Sequence, residues 1–219
     1  MGKNKLARFA ENETFNNLFQ HTDFDISVEK FPLQGNWQND FFKNENPIVL
    51  ELGCGRGDYT VELARRFPNL NFIGIDRKGA RLWRGAKTAL EEKLSNVAFL
   101  RTAIDQIAAF FAPGEVHEIW ITFPDPQPRK ERRRLTSPIF IERYKSILMQ
   151  NGIINLKTDS RELYQYTIET AHQQNWEIIE QIDNVYEPPL NPILTEIQTF
   201  YEKMWIKEQR TISFLKFRV

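Results

Sequence analysis

The sequence predicts an α/β protein: a mostly parallel sheet of seven strands, helices on both faces and an antiparallel edge strand. Three observations predict it. From Ile48 onward short apolar runs alternate with helical patterns, the signature of βαβ units. A glycine-rich turn, Glu51-Leu52-Gly53-Cys54-Gly55-Arg56-Gly57-Asp58, separates the first run from the helical pattern after it, where the backbone must turn tightly and approach a ligand closely. After Trp176 the alternation gives way to two strand patterns separated by a Pro-rich loop and a helical stretch, hence the antiparallel edge.

Taken in order, residues 1 to 47 are polar and asparagine-rich, with scattered aromatics (Phe15, Phe19, Phe24, Phe31, Trp37, Phe41, Phe42) that follow no clean period. They read as an arm that packs on the core by those rings, leaving 48–219 as the domain. The first strand, Ile48 to Gly53, runs into the glycine turn, and the second, Asn71 to Ile75, ends against Asp76. Strands follow at Val97 to Arg101, Glu118 to Phe123 and Gly152 to Lys157, then at Trp176 to Ile182 and Thr211 to Phe217. Helices are expected near 59 to 67, 78 to 93, 104 to 111, 138 to 149 and 160 to 174. Glu187 to Pro192 and the basic run 129 to 134 read as loops.

Composition narrows the function classes. The chain has 219 residues, 41% of them hydrophobic, and 29 basic side chains balance 29 acidic ones. That is enough for a core without staples. A single cysteine, Cys54, excludes an intrachain disulfide, and His21, His117 and His172 are too scattered for a zinc motif, so no metal is expected. The first 13 residues lack the apolar stretch of a signal peptide, and no run approaches the roughly 18 apolar residues of a spanning helix. The expected compartment is reducing and cytoplasmic, with no membrane partner.

The glycine spacing is G-x-G-x-G, one residue short of the dinucleotide fingerprint, and no Gly-Lys-Ser/Thr ending follows, so pyrophosphate binding is disfavoured. Asp76 stands about 20 residues after the last glycine, where a carboxylate can accept hydrogen bonds from ribose hydroxyls. It is also placed to cap the helix beginning at Arg77. Glu51, at the entrance of the turn, suits a ligand carrying an amino group and a sulfonium charge. Cys54 is assigned packing and no chemistry. Gly53, Gly55, Gly57, Glu51 and Asp76 together resemble class I S-adenosylmethionine-dependent methyltransferases, which implies their Rossmann-like fold and that cofactor.

The fourth strand runs into Pro124-Asp125-Pro126-Gln127-Pro128-Arg129-Lys130-Glu131-Arg132-Arg133-Arg134-Leu135. Asp125 should lie at the carboxyl end of its strand, beside the reacting methyl, stiffened by alternating prolines. Residues 129 to 134 carry five cations and one acid, and Arg77, Lys78, Arg81, Arg84 and Lys87 add five more in a stretch without acids. Arg77, Arg81 and Arg84 are expected on one helix face. Ten cations in two segments of a neutral chain read as a footprint for a polyanion, and their position at strand ends favours RNA.

These motifs, with Gly35-Asn36-Trp37, Asn46-Pro47-Ile48, Leu156-Lys157-Thr158-Asp159 and Thr199-Phe200-Tyr201-Glu202, resemble over nearly the whole chain the bacterial tRNA (guanine-N7)-methyltransferases. The resemblance implies transfer of a methyl group from S-adenosylmethionine to a guanine in the tRNA variable loop. It places Glu51, Asp76, Ala103 and Asp125 at the cofactor, with Asp125 also catalytic. Arg129, Asp159, Thr199, Phe200, Tyr201 and Glu202 fall at substrate positions, and Glu131, Arg132, Arg133, Arg134, Leu135 and Thr136 at the RNA-interaction segment. The sequence departs from the family pattern in places: Gln127 occupies the place of a tryptophan, Arg129 that of the first lysine, and no histidine follows. Ala103 takes the place of an acid near the adenine, which Asp105 replaces only if its loop shifts, so backbone contacts are expected there. On the residues alone, a methyltransferase for a small molecule or a different RNA position, a non-catalytic RNA-binding module and, more remotely, an NAD-dependent oxidoreductase stay open.

Overall fold

The computed structural model describes residues 2–21 and 30–219; Phe24 lies outside the described residues. Its strands are β1 (Leu18–Gln20), β2 (Ile48–Leu52), β3 (Asn71–Asp76), β4 (Val97–Arg101), β5 (Val116–Thr122), β6 (Leu148–Thr158), β7 (Glu177–Ile182) and β8 (Ser213–Arg218). They form one sheet in the order β1-β4-β3-β2-β5-β6-β8-β7. The pairs from β1 to β6 are parallel, and β8 runs antiparallel to both β6 and β7. All five residues of β2 are buried, as expected of a central parallel strand covered on both faces.

The sheet differs from the sequence expectation in two features. An eighth strand, β1, comes from the arm and pairs Leu18 with Phe99 and Gln20 with Arg101; three residues held by a backbone ladder leave no periodicity to read. The antiparallel strand β8 sits one place in from the edge, and β7 takes the edge. The burial patterns explain the order, since β8 is mostly buried whereas β7 alternates between exposed and half-buried residues.

One face of the sheet is covered by α2 (Asp58–Arg66), α3 (Gly79–Glu91), α6 (Pro192–Thr195) and α7 (Phe200–Lys207). Tyr59, Leu63, Leu82, Ala86 and Leu194 pack there on Phe72, Phe99 and Phe214. The other face carries a 3-10 segment (Ile104–Ala109), α4 (Pro138–Lys145) and α5 (Arg161–Gln173), whose Ile107, Ile141, Tyr144 and Leu163 pack on Leu50, Ile119 and Ile154. Each such buried side chain contributes about 1.5–3 kcal/mol. The helix expected over 138 to 149 stops at Lys145 because Leu148 already belongs to β6; a short apolar run reads alike as strand or buried helix.

The arm is woven into both layers. Phe31, Trp37 and Phe42 belong to the core, where the Trp37 Nε1 donates to the Phe110 carbonyl at 2.9 Å and the indole stacks on Phe111. Ahead of them α1 (Gly2–Asn12) packs on α3. Glu11 accepts from the Trp83 indole at 2.6 Å and pairs with Lys87 at 2.7 Å, while the Arg8 guanidinium lies 4.6 Å from the Trp83 ring.

Candidate functional site

The glycine turn between β2 and α2 is built by its backbone. Gly53, Gly55 and Gly57 have φ of +74°, +58° and +72°, the left-handed region where glycine carries no steric penalty. The Gly53 and Cys54 amides donate to the Ile75 carbonyl at 2.8 and 3.0 Å, locking the turn onto the end of β3. Gly57 also permits close packing, since a Cβ there would lie 2.5 Å from the Phe99 ring.

Asp76 ends β3 beneath this turn. Its Oδ2 accepts from the Gly55 amide at 3.0 Å and its Oδ1 from the Lys78 amide at 2.7 Å. The helix begins at Gly79, so Asp76 bridges the turn to the loop before α3 rather than capping a helix at Arg77. Glu51 lies deeper than expected: it is buried, accepting from the Thr60 amide at 2.8 Å and from the hydroxyls of Thr60 and Thr122. Burial pushes its pKa up to about 7, against the lowering effect of those hydrogen bonds. Burial also raises the Cys54 thiol well above its ordinary value, which disfavours the nucleophilic thiolate.

Two cavities meet at Gly53, which lines both. The first, about 260 Å³, is lined by Asp76, Arg77, Thr102, Ala103, Ile104 and Asp105. The Thr102 hydroxyl is buried beside it without a hydrogen-bond partner among the described residues. Asp105, two residues beyond Ala103, lines the same cavity. The second cavity, about 340 Å³, is lined by Cys54, Gly55, Thr122, Phe123, Thr199, Phe200 and Tyr201, with Arg8, Arg56, Arg81 and Arg84 at its margins. Arg77 precedes α3 and faces the first cavity, so the three-arginine helix face reduces to Arg81 and Arg84.

The segment after β5 carries backbone strain. Phe123 and Gln127 adopt left-handed φ of +48° and +47°, a conformation costing non-glycine residues about 1–2 kcal/mol. Asp125, between them, is exposed and accepts from the Gln127 amide at 3.1 Å. It does not line either cavity, but Phe123, two residues before it, does. Arg129, Lys130, Glu131, Arg132 and Arg133 form an exposed loop around a shallow groove.

Arg134 corrects the reading of 129–134 as one charged surface. Its side chain is 2% exposed, donates through Nε to the Pro126 carbonyl at 3.0 Å, pairs with Glu162 and lies 4.3 Å from the Tyr166 ring. Thr136 is buried as well, bonded to Thr167 at 2.8 Å, and Leu135 is half-buried. The solvent-facing part of the expected RNA segment is Glu131, Arg132 and Arg133. Lys87 likewise leaves the cationic footprint through its pairing with Glu11.

Glu202 is also turned inward. It is fully buried, pairs with the buried Lys157 at 2.7 Å, accepts from the Tyr186 hydroxyl at 2.8 Å and completes a capping box with Thr199 at the start of α7. Burial pushes the Glu202 carboxyl up and the Lys157 amine down, each partly offset by the other's charge. This corrects Glu202 as a substrate-contacting residue: Phe200 and Tyr201 are the exposed members of its segment. Asp159 pairs with Arg210 at 3.2 Å, and Ser160 caps α5. The sequence reading missed Arg8, Lys157, Thr102 and Thr122. Lys157 stood inside a quoted motif; the others left no local signal.

A family model described as "Putative methyltransferase" matches residues 45–215. A tRNA (guanine-N(7)-)-methyltransferase of Christiangramia forsetii is 52% identical over 99% of this chain and 98% of its own length. Its counterpart in Bacteroides fragilis is 46% identical over 99% of this chain and 86% of its own. Among solved structures, the 16S rRNA methyltransferase KamB superposes with a TM-score of 0.65 at 14% identity, covering 83% of this chain and 91% of its own. Similarity at that level speaks to the fold, a class I methyltransferase architecture.

Proposed function

The chain belongs to the tRNA (guanine-N(7)-)-methyltransferase family, and from that premise we propose that it transfers a methyl group from S-adenosylmethionine to N7 of a guanine in the variable loop of tRNA. The observation that carries this reading is the junction at Gly53 of two chemically different cavities. The first fits an adenosine: Asp76 offers a carboxylate to ribose hydroxyls, and Asp105 offers a polar contact at the cavity's other wall. The second leads to aromatic and cationic groups suited to a nucleotide. S-adenosylmethionine, when bound, supplies an electrophilic methyl on a sulfonium.

Guanine N7 carries an in-plane lone pair and no proton, so no general base is required to create the nucleophile. Alignment and charge stabilisation are what the protein contributes. Asp125, unpaired with any cation among the described residues, is the carboxylate we assign to the positive charge that develops on the methylated base. Thr199, Phe200 and Tyr201 border the base's entry, and Asp159, freed from Arg210, would accept from guanine's imino and amino groups. Arg129, Arg132 and Arg133 would meet the RNA backbone. The free, buried Cys54 accords with a reducing compartment, and the cytoplasm is the location we assign.

The test is incubation with labelled S-adenosylmethionine and two tRNA transcripts, one with the variable-loop guanine changed to adenine. Label is expected in the unchanged transcript alone. Equal label in both would overturn the assigned position, and binding of tRNA with no label in either would favour a non-catalytic RNA-binding role.

A further inference from the structure

Next to the second cavity lies a cleft between α2, α3 and the start of α7, about 450 Å³ in volume. Arg56, Asp58, Arg84 and Phe200 line both spaces, and the Arg56 guanidinium lies 5.4 Å from the Phe200 ring at their common wall. Lys203, one turn along α7, lines the cleft alone.

The charges of this cleft divide into two sets. Arg65 is held by Glu62 and Glu92, and Arg66 by Glu62 and Glu196, so the carboxylates Glu62 and Glu196 are already spent on arginines. Arg56, Arg84 and Lys203 are exposed and form no ion pair among the described residues, leaving three cations against Asp58. Three exposed cations against one unspent carboxylate around a concave space make it a place where an anion is attracted.

Topology makes the location informative. The glycine turn follows β2, the basic loop 129–133 follows β5 on one side of it, and α3 follows β3 on the other. The two cationic patches therefore flank the cavity assigned to the target base. A base drawn out of an RNA strand into a pocket leaves the strand's backbone running away on both sides. One patch on each side is what such a strand requires.

We propose that the cleft of Arg56, Arg84 and Lys203 is a second RNA-binding subsite, which holds a backbone phosphate of the tRNA next to the methylated nucleotide. The proposal rests on the reading of tRNA as substrate. Phe200, at the wall between the spaces, separates the base in one from the phosphate in the other.

The experiment measures tRNA dissociation constants between 50 and 200 mM salt for the wild-type chain, Lys203→Ala and Lys203→Glu. Lys203 is exposed and lines the cleft only, so both variants should fold and bind S-adenosylhomocysteine as the wild type does. For Lys203→Ala the slope of log affinity on log salt should shrink by about 0.7–0.9, one phosphate contact. Lys203→Glu should lose more affinity than Lys203→Ala. Each backbone phosphate flanking the target guanine is then replaced singly by a neutral methylphosphonate. At one position that replacement should weaken wild-type binding and leave Lys203→Ala unaffected, the non-additivity of a direct pair. An unchanged slope, or additive losses at every flanking position, would overturn the subsite while leaving the methyltransferase reading intact. Absence of tRNA binding by the wild-type chain would instead remove the reading on which the subsite rests.

Discussion

Replacing Arg134 by alanine should detach the loop that carries Asp125. The side chain is 2% exposed and holds four partners: the Pro126 carbonyl at 3.0 Å, the Tyr166 ring at 4.3 Å, Glu162 and, at 3.7 Å, the exposed Glu131. A charged hydrogen bond of the first kind contributes about 1.5–3 kcal/mol and the ring contact about 1 kcal/mol. The pairing with Glu162 adds less, about 0.5 kcal/mol, because that carboxylate is 56% exposed and rehydrates when its partner goes. With the void left by the buried stem, the loss is about 4 kcal/mol, or roughly 10 °C in Tm for a chain of this size. Thermal denaturation, turnover and the salt slope of tRNA binding are the assays. Tm and kcat should both fall, the slope should stay at its wild-type value, and Arg134→Lys, which keeps the charge but loses the planar fork, should rescue little. A slope reduced by about 1 with normal Tm would show that Arg134 meets phosphate, and the loop-anchoring role would be wrong.

Asp125→Ala should leave S-adenosylhomocysteine affinity within about twofold of wild type and lower single-turnover rates by about 100-fold, the order of one preorganised electrostatic group; normal rates would remove Asp125 from the chemistry. Glu51 has a folded pKa raised from 4.5 to about 7 by burial, so its contribution to stability is present below pH 4.5 and is lost as pH rises through 7. Urea titrations should show a decline of about 3 kcal/mol over that window, shallower in Glu51→Gln; identical pH profiles would contradict it. Gly57→Ala brings a Cβ within 2.5 Å of the Phe99 ring at φ +72°, and a loss of about 2–4 kcal/mol in denaturant titration is expected. Wild-type stability in that variant would mean that the turn and α2 shift freely.

Much of this architecture was legible because parallel strands covered on both faces read as apolar runs, and β2 to β5 and the second half of β6 are such runs. The glycine turn was legible for a related reason: three left-handed positions in five residues demand glycine, so conformation writes itself into sequence there. Charge was harder. The run at 129–134 reads uniformly basic, yet Arg134 is buried, because the partners that draw it inward, Glu162 and Tyr166, stand about 30 residues downstream. Lys87 was miscounted as free for the same reason, its acid lying in α1. Glu202 matched a motif by type, but only the fold shows that its carboxylate is committed to Lys157 and Tyr186. β1 and α1 were missed because their support is a backbone ladder and side-chain contacts made across the chain.

Transfer to the ring nitrogen is tested most directly by exchanging the atom itself. Two tRNAs joined from synthetic halves would differ only at the variable-loop target, one carrying guanosine and the other 7-deazaguanosine, in which a C–H replaces N7. Both should bind alike, and label from S-adenosylmethionine should appear as 7-methylguanosine in the first and be absent from the second. Undiminished label in the deaza substrate, or label recovered in a different nucleoside, would contradict N7 as the acceptor while leaving the methyltransferase fold in place.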